Sequence, residues 1–263
     1  GGIESPAKVV KVTRKVGSPV SQVNPYAVNS GAVPAAFAEE SERAGFIRRT
    51  YLHLTGAVLA LIALEAVLFS AVPAATMQNL VATMTGGYGW LIVLGAFMGV
   101  SWMARSWANS GRSAGIQYAG LGLYIVAEAV ILLPMLYICI TIMGEPQLPI
   151  MAAMITSLVF AGLTAFVFVT GTDLSGWGKY LAIGGIVAMA AIGAGILMGF
   201  SLGIWFSAAM VALASAYILY DTSNILHHYD TRQHVAASLA LFASVVLLFW
   251  YVLRILMMFA SDD

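Results

Sequence analysis

The chain predicts an all-α protein that crosses a membrane seven times, on three observations. Of its 263 residues, 60% are hydrophobic and only 9% charged, against roughly a quarter charged in a soluble domain. Seven apolar runs have about the 20 residues a helix needs to span the hydrocarbon. Once those runs are threaded through a bilayer, the basic residues flanking them fall almost wholly on one side.

The charged residues crowd the beginning, from Lys8, Lys11, Arg14 and Lys15 to Glu39, Glu40, Glu42, Arg43, Arg48 and Arg49. Residues 1–44, with Pro6, Pro19, Pro25 and Pro34 and no apolar periodicity, read as a disordered cytosolic leader. No cleavable signal peptide is expected, because the first apolar run begins only at Tyr51. The membrane domain is then 45–263, with spans at 51–72, 87–104, 114–143, 150–170, 178–200, 204–226 and 235–259. The third is long enough to tilt, or to kink at Pro134. Pro73, Ser110-Gly111, Gly144-Glu145-Pro146 and the stretch from Asp173 to Gly176 punctuate the runs. The break at Gly203 is the shortest, and fusing across it would leave six spans.

With the N-terminus inside, the leader, Arg105, Arg112, Lys179 and Arg232 all face the cytosol, and only Arg254 approaches the other side. Trp90, Trp102, Trp107, Trp177 and Trp205 fall near span ends, where indoles anchor to the interface. Gly184, Gly185, Gly193, Gly195 and Gly199 give the fifth span small faces for close helix packing. Zero net charge gives no case for a nucleic-acid partner, and the single cysteine, Cys139, allows no disulfide within the chain.

Glu65, Glu128, Asp221 and Arg254 lie within spans, where each costs about 2.5–3.5 kcal/mol at mid-helix on insertion scales. Such groups pair, reach water, or in the case of acids stay protonated. Counted from the cytosolic ends at ~1.5 Å per residue, Glu65 and Glu128 stand roughly 21–22 Å in and Arg254 roughly 28 Å. Those heights suit an outer Glu65–Glu128–Arg254 cluster; three separate groups, each bonded locally, is the other reading. Asp221 is nearer the cytosolic end, within reach of His227, His228 or the segment carrying Arg105 and Arg112. Burial disfavours a charged carboxylate and a basic partner favours it, so such an aspartate can answer to pH.

The segment Tyr217-Ile218-Leu219-Tyr220-Asp221-Thr222-Ser223-Asn224-Ile225-Leu226 resembles the sixth-helix signature of the Bax-inhibitor family. In the same order along the chain, Phe46-Ile47-Arg48-Arg49-Thr50-Tyr51 resembles the start of that family's first helix, and Leu123-Tyr124 through Leu133-Pro134 its third helix. Thr172-Asp173-Leu174-Ser175 resembles its loop before the fifth helix, and Leu253-Arg254-Ile255-Leu256 with Ser261-Asp262-Asp263 the last helix and tail of bacterial members. The resemblance covers almost everything after the leader. It implies seven helices with the last one central, a pH-sensitive calcium leak, and a bacterial inner-membrane location. In animals and plants the family restrains cell death. Its bacterial gate is held to use two facing aspartates, on the sixth and seventh helices, and an arginine on the second. Asp221 matches the first aspartate, Ser244 occupies the place of the second, and Leu247 that of a neighbouring asparagine. Arg105 is the better match for the arginine, with Arg112 next. Lacking the second carboxylate, a calcium site here would lose half its charge. The titrating pair could instead have moved outward to Glu65 and Glu128, or the chain could conduct no calcium.

Other chemistries find little support. No lysine lies inside a span to carry a retinal Schiff base, and no Gly-x-Ser-Gly with a placed histidine suggests an intramembrane protease. His227, His228, Asp230 and His234 cluster in sequence, but adjacent histidines diverge on a helix, so a solvated loop is the preferred reading over a metal site. His53 is expected to pack or hydrogen-bond. The expectation is a leak for calcium or another cation, gated by intramembrane carboxyls, with no cofactor and no enzymatic activity; the ion pathway would involve Asp221, Ser244, Arg105, Glu128, Glu65 and Arg254. The alternatives are a proton-coupled transporter and a non-conducting regulator of another membrane protein, such as a membrane protease.

Overall fold

The computed structural model describes residues 33–86, 88–110 and 113–261. Eight α-helices follow one another: α1 (Glu40–Ala71), α2 (Ala74–Thr85), α3 (Gly89–Ala108), α4 (Ala114–Tyr137), α5 (Gln147–Thr170), α6 (Gly178–Met198), α7 (Ile204–His227) and α8 (His234–Ser261). All but α2 are long and apolar enough to cross a membrane. The seven expected spans are therefore present, and α6 and α7 are separate helices. Gly199, at φ +72° in the left-handed region, ends α6 before the chain re-enters α7.

The most apolar stretches of α8 and α4 are 61% and 56% buried inside the protein, against 11–28% for the other spans. The last helix is thus the central one. It packs against α1, α3, α4, α5 and α7, whereas α6 leans chiefly on α7. With no apolar surface to hide from water inside a bilayer, such packing rests on close van der Waals fit and interhelical hydrogen bonds. Gly120 of α4 shows the fit at its tightest, because a Cβ there would stand 2.6 Å from the Ala104 carbonyl and 2.8 Å from the Ala108 nitrogen of α3. The α6 glycines serve α7 in the same way: Leu213 lies over Gly184, and the Tyr217 hydroxyl over Gly185.

Several boundaries differ from the sequence expectation. Most of the expected leader lies outside the described residues, but its end is ordered. The Ala35 N–H donates to the Tyr229 carbonyl at 2.9 Å, Pro34 bridges Asp230, and α1 starts at Glu40. Acidic side chains in the first turn, Glu40 and Glu42, suit that helix start. Helix α2 occupies what reads as a linker and buries Met77, Val81 and Met84. The α4 helix continues past Pro134 to Tyr137 and changes to a π turn at Ile138–Ile142. Trp102 and Trp205 are strongly exposed, as interfacial anchors require, but Trp90 stacks on Trp250 with ring centres 5.9 Å apart.

Candidate functional site

Four consecutive polar residues of α7, Asp221, Thr222, Ser223 and Asn224, are all buried. A helix hides every side at one level only when it is covered all round. Helix α8 covers one side, and the α5–α6 connection another. There the Leu174 N–H donates to Ser223 Oγ at 2.7 Å, and that hydroxyl donates to the Thr172 carbonyl at 3.2 Å. The Thr172-Asp173-Leu174-Ser175 loop and the α7 signature, remote in sequence, are therefore a single packed unit. His228 Nε2 lies 3.2 Å from Asp173 Oδ1. Although partial burial acts to raise it, the Asp173 carboxyl is held below its ordinary value by the Ser175 N–H and by His228.

Asp221 faces α8. Ser244 Oγ donates to Asp221 Oδ2 at 2.6 Å, and its alternative acceptor is the Ala240 carbonyl at 3.2 Å. The pairing of these two positions is as the sequence implied. Arg105, which the resemblance matches to the gate arginine, sits four residues before a loop in sequence, and its side chain turns into the protein. Its guanidinium carbon stands 5.4 Å over the Tyr124 ring, its Nη2 reaches the Tyr124 hydroxyl at 3.5 Å, and it interacts through space with Asp221. Arg112 lies outside the described residues.

Glu128 belongs to this same group. It is one helical turn beyond Tyr124 on α4, which places the two on one face, and it interacts with the Tyr124 hydroxyl and with Arg105. Tyr124 is the residue that sequence reasoning missed, and its i, i+4 spacing from Glu128 was the signal. Two buried carboxyls, Asp221 and Glu128, thus lie within electrostatic influence of one guanidinium without an ion pair to it; Tyr124 stands between Glu128 and Arg105, and Ser244 binds Asp221. Arg105, Tyr124, Glu128, Asp221 and Ser244 all line one cavity of about 1180 Å³, which extends along α8 to Arg254.

The expected outer Glu65–Glu128–Arg254 cluster does not form. Glu65 continues the buried stripe of α1 below Leu54, Ala57 and Leu61, and neither of its carboxyl oxygens has a hydrogen-bond partner. It does not line the cavity. Arg254 Nη2 instead donates to the Leu202 carbonyl at 2.8 Å. Similar depth brought these three together in the sequence reading, but depth does not fix the face of a helix.

The loop histidines also separate. His227 binds the Ser223 carbonyl and His228 binds Asp173, while His234 and His53 both approach the Tyr118 hydroxyl. Among the described residues no three His, Cys, Asp or Glu side chains converge as metal ligands would.

The profile of a family described as "Inhibitor of apoptosis-promoting Bax1" matches residues 43–261. An uncharacterized protein of Pseudomonas aeruginosa is 35% identical over 109 residues, which cover 41% of this chain and 49% of that protein. The modulator of FtsH protease YccA of Escherichia coli K12 shows the same identity over the same shares. Bax inhibitor 1 of Schizosaccharomyces pombe is 32% identical over 114 residues, 43% of each chain. The chain thus spans about half the length of these relatives.

Proposed function

The chain belongs to the Bax-inhibitor family of multi-pass membrane proteins, and from that premise we propose that it is a pH-sensitive leak for calcium or another cation. Its gate would be the protonation state of Asp221 and Glu128 around Arg105. The observation that carries this reading is the placement of two buried carboxyls about a single cation on the wall of one cavity.

The charge arithmetic gives the switch. With one carboxyl ionised, Arg105 neutralises the group; with both ionised, the group carries one net negative charge. A low-dielectric surrounding makes that difference large, and it is the difference a permeating cation would meet. Ser244 replaces the facing carboxylate of the family pattern, and Glu128 supplies the second acid from α4 instead. Its route to Arg105 runs through Tyr124. The basic residues favour an N-terminus in the cytosol, and the E. coli relative, named as an inner membrane protein in a second strain, supports the same membrane for this chain.

The test is calcium and proton flux through the purified protein in liposomes, followed from mildly acidic to alkaline pH. Flux should change with pH in the wild type, and Asp221→Asn and Glu128→Gln should each flatten that dependence. An unaltered pH profile in the double variant would overturn the gate. A second reading is favoured by one observation, the name of the E. coli relative as a modulator of a membrane protease. Absence of flux at every pH, together with altered turnover of a membrane substrate by such a protease, would establish a non-conducting regulator.

A further inference from the structure

The cavity has a second end that the gate does not use. At about 1180 Å³ it exceeds the roughly 300–1,000 Å³ of ordinary small-molecule sites. Away from Asp221 its wall is apolar, with Ile131 and Met135 of α4 on one side, Ala188 and Ile192 of α6 on the other, and Leu247 and Trp250 of α8 between them. Helix α6 packs chiefly on α7, and Trp90 and Phe97 of α3 complete the wall between α4 and α6. At the far end stands Arg254, half-buried on the wall, which touches the Leu202 carbonyl and pairs with no carboxylate among the described residues. It lies seven residues before the end of α8 at Ser261, or ~10 Å at 1.5 Å per residue. Leu202, in the connection between α6 and α7, marks the same end of the bundle.

A long apolar slot with a cation near one membrane face has the polarity of an anionic amphiphile. We propose that this slot binds one anionic phospholipid, its acyl chain between α4 and α6 and its phosphate on the Arg254 guanidinium. Charge complementarity selects the head group. A guanidinium takes two phosphate oxygens at once and is weakly hydrated, so it suits a half-buried ion pair. The Leu202 carbonyl holds the arginine without neutralising it. The binding stands apart from conduction, so its test reads lipid and not flux.

Native mass spectrometry of the delipidated full chain, titrated with phosphatidylglycerol, phosphatidylcholine and oleate separately, tests the assignment. The wild type should retain one phosphatidylglycerol over phosphatidylcholine by roughly five-fold or more, within what one charge-assisted hydrogen bond contributes. Arg254→Gln should erase that preference and Arg254→Lys restore part of it. Ile192→Trp, which fills the slot and leaves Arg254 in place, should weaken retention of both phospholipids. The proposal is overturned if Arg254→Gln keeps the preference, if Ile192→Trp binds as the wild type does, or if oleate competes equally with phosphatidylglycerol.

Discussion

Ser244→Ala removes a single oxygen from the middle of the bundle, and its consequence can be worked out from two distances. The serine has one proton and two acceptors, Asp221 Oδ2 at 2.6 Å and the Ala240 carbonyl at 3.2 Å. The shorter contact lies in the 2.5–2.7 Å range of a hydroxyl bound to an ionised carboxylate. Such a bond contributes about 1.5–3 kcal/mol, against about 1 kcal/mol for a neutral pair. When Asp221 is protonated it can donate to Ser244, which then turns to Ala240, so the serine follows the proton without moving. The variant should therefore lose about 1.5–3 kcal/mol where Asp221 is ionised and about 0.5–1.5 kcal/mol where it is not. For a chain of this size the larger loss is a fall of about 3–12 °C in apparent Tm. Tryptophan-monitored unfolding in detergent at a fixed scan rate, at acid and at alkaline pH, measures both. An equal loss at the two pH values, or a greater loss in acid, would refute the assignment of the carboxylate as the acceptor.

Three further outcomes are expected. Gly120→Ala forces a methyl against the α3 backbone and should cost about 1–3 kcal/mol in the same unfolding assay; because α3 carries Arg105, it should disturb the pH profile of flux as well. Asp173→Asn should lower Tm slightly near neutrality, with the difference shrinking in high salt because the pair is well exposed. The carboxyl is held below its unfolded value, so its contribution is present above that value and is lost as pH falls through the folded one; the variant and wild type should converge in acid. Glu65→Gln should leave the pH profile of flux intact while Glu128→Gln flattens it, since only Glu128 reaches Arg105, and the reverse result would move the site to α1.

The spans were legible because the bilayer imposes length and composition on them; α7 ends one residue from its expected limit, at His227. Helix α2 was not, since twelve residues of mixed polarity between two spans carry no such imposition. The Asp221–Ser244 contact followed from the resemblance. Its wider setting did not, because helix rotation decides which polar residues meet, and rotation is set by contacts such as that of Gly120 with α3. Thus Arg105 was expected beside Asp221, but its stacking on Tyr124 was not. Glu65 and Glu128, matched in depth, face different neighbours.

Infrared difference spectroscopy between acid and alkaline pH observes the protonation of buried carboxyls directly, through the C=O stretch of the neutral acid. The wild type should show carboxyl bands in the difference spectrum, of which one disappears in Asp221→Asn and another in Glu128→Gln. Both bands should shift in Arg105→Gln, whose loss removes the shared cation. Difference spectra from Asp221→Asn and Glu128→Gln that match the wild type would mean that neither acid exchanges its proton over this range, and no gate could be built on them.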